Sequence, residues 1–129
     1  MPHLTLEHAG MEGADIPALC RRLRDAMVAT GVFPLGGIRV RAFEAGACAI
    51  ADGGAAEYGF VHGVLIAGKG RDEATLQSAL DAVYAAAEDH LKPRMSRPFA
   101  LSIELVEVSR FSIKRLNTIH DHLKARESA

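Results

Sequence analysis

A chain of 129 residues with a formal net charge of −1 is long enough to bury one core unaided and short for two domains. The balanced charge excludes a general nucleic-acid binder, and 5% aromatic residues with no tryptophan leave no stacking platform for bases. No apolar run approaches the roughly 18 residues that a membrane span needs, no charged-then-apolar leader opens the chain, and Cys20 and Cys48 make no disulfide framework, so the expected compartment is the cytoplasm.

From the N-terminus, Leu4 and Leu6 alternate with His3, Thr5 and Glu7, which predicts a half-buried strand over His3 to His8. Gly10 to Gly13 breaks it. Asp15 then stands as N-cap with Pro17 in the first turn, and Ile16, Leu19, Cys20, Leu23 and Met27 mark one face of a helix that stops at Gly31. After the turn at 33–37, Ile38 to Phe43 alternates again, with Arg39 and Arg41 on one face. The small-residue segment from Ala45 to Glu57 reads as a short hairpin arm and a loop.

The order then repeats. Tyr58 to Ala67 is a more continuously apolar strand, as expected where both faces are covered. Asp72 caps a helix whose buried stripe is Leu76, Leu80, Val83, Ala87 and Leu91, with Pro93 beyond its end. Phe99 to Leu105 alternates as a fourth strand, and Ile113, Leu116, Ile119 or His120, and Leu123 predict a short closing helix. The expectation is a single α+β domain over residues 1–129, with repeats at 2–45 and 58–108 and a C-terminal segment at 109–129. Two β-α-β units make a four-stranded sheet with two helices on one face. The other face is left bare, so packing alone calls for an oligomer.

Four residues carry the chemical interest. Removal of Met1 would leave Pro2 with a free secondary amine, and a free α-amino group titrates near 7.7–8.0. A cation roughly 8 Å away, at an effective dielectric of about 20, disfavours its protonated form by on the order of 2 kcal/mol. Arg39 and Arg41 on the second strand and Arg71 at the start of the second helix are such cations, and arginine suits bidentate capture of carboxylates. The six histidines show no metal-ligand spacing, although His3 and His62 lie on strands beside the presumed site. Gly68 and Gly70 lack the spacing of a nucleotide loop.

Pro2-His3-Leu4-Thr5-Leu6-Glu7, Pro34-Leu35-Gly36-Gly37-Ile38-Arg39-Val40 and Gly68-Lys69-Gly70-Arg71 together resemble the tautomerase superfamily. Within it they are closest to 5-carboxymethyl-2-hydroxymuconate isomerase, over nearly the whole chain. Single-unit relatives such as 4-oxalocrotonate tautomerase carry the terminal proline, an arginine ten residues later and a second-strand arginine. Here those roles look divided: Pro2 and Arg39 lie in the first half and Arg71 in the second. Glu12, Val61 and Glu104 stand where, or near where, the missing partners would be, so the resemblance implies one site per chain. It further implies Pro2 as general base, Arg39 and Arg71 as carboxylate holders with Arg41 assisting, and no metal or organic cofactor. The implied substrate is a small polycarboxylate keto-acid of the homoprotocatechuate route, and the implied assembly is a homotrimer. The alternatives are another proline-dependent activity of the superfamily or, if Met1 is retained, a non-catalytic trimeric binding protein.

Overall fold

The structure, a computed structural model, describes residues 2–109 and 113–128. Strict alternation gives β1 (His3–Ala9) a fully buried side at Leu4 and Leu6, and β3 (Gly59–Gly68) one at Val61 and Leu65. β2 (Arg39–Glu44) runs parallel to β1, β4 (Phe99–Val108) runs parallel to β3, and β1 pairs antiparallel with β3, giving the order β2-β1-β3-β4. Each β-α-β unit is thus one half of a mixed sheet, and the halves meet along β1 and β3.

The crossovers are α1 (Ile16–Ala29) and α2 (Glu73–Leu91). Both carry the expected caps: Asp15 Oδ1 accepts from the Ala18 amide at 3.2 Å and Asp72 Oδ1 from the Thr75 amide at 2.7 Å. Leu19, Leu23 and Met27 of α1 and Leu76, Val83, Ala87 and Leu91 of α2 join Leu4, Leu6 and Leu65 in one core, with both helices on the same side of the sheet. Burying such a side chain contributes about 1.5–3 kcal/mol each, which outweighs any local propensity. His90 is also buried, its Nε2 2.7 Å from the Ala14 carbonyl oxygen, so it ties the end of α2 to the start of α1.

Three expectations need correction. Ala45 to Glu57 forms no hairpin arm; it carries a single bridge, Ile50 to Gly53, whose two backbone bonds are 3.0 and 2.8 Å. With few side chains to pack across a ladder, the segment is braced locally instead. Tyr58 bonds to Asp52, and Glu57 Oε2 accepts from the Gly54 amide at 2.9 Å. β3 is buried on one face but only half-buried on the other, because no helix covers that side. The closing helix α3 (Ile119–Ser128) begins later than the pattern at Ile113 implied. Asn117 Oδ1 accepts from the Ile119 amide at 2.9 Å and sets the start there. Leu116 is 91% exposed and α3 buries no residue, so this stripe finds no core within the chain.

The bare face of the sheet presents His3, Thr5, Arg39 and Arg41 on one half and His62, Val64, Ser102 and Glu104 on the other. Phe43 and Val106 add exposed apolar surface there, at 55% and 38%.

Candidate active site

Pro2 sits just ahead of β1 with its ring fully buried. Its carbonyl accepts the Arg39 amide at 3.3 Å, and its neighbour His3 is paired with Arg39 on one side and Ile66 on the other. The start of β1 is therefore held between the start of β2 and the end of β3, away from either edge of the sheet.

Two guanidinium groups grip the loop that leads into β2. Arg39 Nη1 donates to the carbonyls of Gly36 and Gly37, at 3.2 and 3.0 Å. These carbonyls turn back toward it because residues 35–37 form a single 3-10 turn. Arg71 stands just before the α2 cap, where Nε donates to Val32 O and Nη1 to Gly68 O, both at 3.2 Å. Its guanidinium carbon lies 5.2 Å from the centroid of the Phe33 ring, a cation-π contact. A guanidinium carries five N–H donors, so carbonyl anchoring leaves it capacity for an anion. Arg41 differs. It pairs with Thr5 two residues further along β2, is exposed, and takes no part in the loop grip.

The field at this end of the sheet is positive. His3 is held below the ordinary histidine range, first by burial and then by the charged amino terminus, Arg41 and Arg39. The two guanidiniums would disfavour the protonated form of a base placed here in the same way.

Counting back from the last residues of β1 and β3, Ala9 and Gly68, sets Val61 against Pro2, His62 against His3, Ser102 against Arg39 and Glu104 against Arg41. The second half thus has neither an imino nitrogen nor a guanidinium at these positions. His62 Nδ1 meets Ser102 Oγ at 2.7 Å, and Nε2 lies 3.4 Å from Glu104. Glu12 is engaged elsewhere, pairing with Arg97 at 2.7 Å. Among the described residues no cluster of three or more His, Cys, Asp or Glu side chains could hold a metal ion, and no helix is long and apolar enough to cross a membrane.

Sequence reading missed the way the C-terminal segment closes over this region. Asn117 Nδ2 donates to the Gly36 carbonyl at 2.9 Å, and the His120 ring lies against the bare Cα of Gly36. No periodicity marks these contacts, because each depends on one residue meeting a turn some eighty positions earlier.

Comparison with known proteins identifies the family. The sequence model of a family described as 5-carboxymethyl-2-hydroxymuconate isomerase matches residues 2–123. A 5-carboxymethyl-2-hydroxymuconate Delta-isomerase of Escherichia coli is 34% identical over 123 residues, which are 93% of this chain and 97% of that one. A crystal structure of a 5-carboxymethyl-2-hydroxymuconate delta-isomerase superposes with a TM-score of 0.86 at 33% identity, covering 95% of this chain and 93% of the other. The corresponding protein of Deinococcus radiodurans R1 gives 0.84 at 35% identity, with the same coverage. A more distant likeness is one of fold alone: a fused 4-OT symmetric trimer, TM-score 0.63 at 20% identity, covering 84% of this chain and 88% of that one. The chain belongs to the 5-carboxymethyl-2-hydroxymuconate isomerase family.

Proposed function

We propose that this protein isomerises 5-carboxymethyl-2-hydroxymuconate, with the nitrogen of Pro2 as general base after removal of Met1. The amine takes the proton of the enol hydroxyl, and the C–O bond becomes a carbonyl. The released electron pair shifts along the conjugated carbons, and the ammonium returns the proton to a carbon at the far end. Atoms and charge balance with no other reagent. Arg39 and Arg71 hold carboxylates and stabilise the negative charge that develops on the dienolate, with Arg41 assisting from the sheet face. The protein works as a cytoplasmic homotrimer in homoprotocatechuate breakdown.

One observation carries the reading: the residue that would bear the imino nitrogen is buried at a strand end beside Arg39, where burial and cations already hold His3 low. The test is a spectrophotometric assay on 5-carboxymethyl-2-hydroxymuconate, comparing protein whose first residue is Pro2 with protein extended by one residue. Turnover by the first and loss of about a hundredfold or more in the second is expected. Equal rates would remove Pro2 as the base.

A further inference from the structure

A cleft of about 270 Å³ opens where β3 ends, lined by Lys69, Arg71 and Arg115 together with Pro34, Val108 and Ile113. Its three cations come from three separate parts of the chain: the end of β3, the start of α2 and the C-terminal segment. Lys69 is fixed at its backbone, where its amide donates to Val108 O at 3.0 Å. Arg71 is fixed by its bonds to Val32 and Gly68. Arg115 is brought in by the segment that Asn117 pins to Gly36. No Asp or Glu stands among the described residues that line the cleft. Three like charges thus line one hollow, a setting that favours entry of an anion.

The cleft also lies at the right end of the sheet. His3 pairs with Ile66, and Gly68, which forms part of the wall, is two residues further along the same strand. That is about 7 Å at strand rise, on the side where Pro2 begins the chain. A muconate carries two carboxylates and its carboxymethyl arm a third. Arg39 and Arg71, the two guanidiniums already gripping the loop, account for two of them.

We propose that Lys69 and Arg115 bind the third carboxylate, that of the carboxymethyl arm, and so set the preference for a tricarboxylate over a dicarboxylate substrate. This rests on the activity proposed above. The arm is bonded to the carbon at the far end of the diene, but its carboxylate is separated from that carbon by a methylene and takes no part in the conjugation. Contacts to it therefore act on ground state and transition state alike and should be felt in KM more than in kcat.

The experiment compares wild type with Lys69→Gln, Arg115→Gln and the double variant on two substrates: 5-carboxymethyl-2-hydroxymuconate, and 2-hydroxymuconate, which lacks the arm. On the first, each single variant should lose about tenfold in kcat/KM, mostly through KM, as expected for a hydrogen bond to a charged group. On the second, the loss should shrink to within about twofold. Equal losses on both substrates would overturn the assignment, because a structural defect does not distinguish them. Calorimetry with propane-1,2,3-tricarboxylate and glutarate separates this inference from the activity. Wild type should prefer the tricarboxylate by about tenfold and the double variant should not, whether or not either turns over substrate. Absence of that preference in wild type would also overturn the inference.

Discussion

Arg39 and Arg71 are long side chains that lose their freedom before any ligand arrives, because backbone carbonyls already hold them. An anion that binds here does not have to order them, which raises what each contact contributes. Arg39→Ala and Arg71→Ala should each lower turnover by tenfold or more, about 1.4 kcal/mol of transition-state stabilisation. Arg→Lys should not restore it, since an ammonium cannot span two carbonyls and a carboxylate in one plane. Steady-state kinetics on variants with unchanged circular dichroism would check this. His3 supplies a pH signature at the same place. Its proton is disfavoured in the folded chain, whereas unfolded histidine titrates near 6.5. The unfolded state therefore takes up more protons as pH falls below about 6.5, and stability drops until the lowered folded value is reached. Replacing His3 with Gln should flatten the fall of Tm as pH drops below about 6.5. An unchanged slope would show that the acid sensitivity arises elsewhere.

At the scale of elements, the strands and the two long helices were legible because each buries one face, so period two and period 3.6 are written in Leu4, Leu6, Val61 and Leu65 and in Leu19, Leu23, Val83 and Leu91. The resemblance marked Pro2, Arg39 and Arg71, and the latter two do reach one loop. Residues 45–57 and 113–117 could not be read in this way. Their order comes from single side-chain bonds, such as those of Glu57 and Asn117, which leave no periodic trace. Lys69 and Arg115 were invisible as a pair for the same reason: only the folded chain brings them to one cleft. The helix α3 is a case where one glycine decides. An ideal Cβ on Gly36 would stand 2.5 Å from His120 Nδ1, too close for the ring to stay. Gly36→Ala should loosen α3 and speed amide exchange across 119–128 at least tenfold. It should cost the whole fold less than about 1 kcal/mol, since α3 buries nothing. Adding His120→Ala to that variant should restore space, though not the contact. Unaltered exchange in Gly36→Ala would mean that α3 is held by other bonds.

For the whole molecule the unsettled surface is the face of the sheet opposite the helices. β3 shows the tension most clearly: its sequence is nearly continuous in apolar residues, yet alternate positions such as Val64 and Ile66 are only half-buried in one chain. Phe43 and Val106 extend the same apolar surface to both outer strands. A face of this size exposed to water favours association, and a closed ring covers it on every copy without leaving a free interface for growth. The sheet's two halves also differ in character. His3, Arg39 and Arg41 occupy one, and the His62, Ser102 and Glu104 cluster occupies the other. Contact between unlike halves suits a cyclic head-to-tail arrangement better than a two-fold pairing of like with like. A homotrimer should therefore sediment at three times the 13.8 kDa of the chain. Dilution to the point of dissociation should lower activity per chain, because Arg39, next to Pro2, lies on the face that dissociation exposes to water. Sedimentation velocity and activity measured over the same concentration series would check both. A monomer with full activity per chain would show that this face needs no partner, and the half-buried side of β3 would then require a different account.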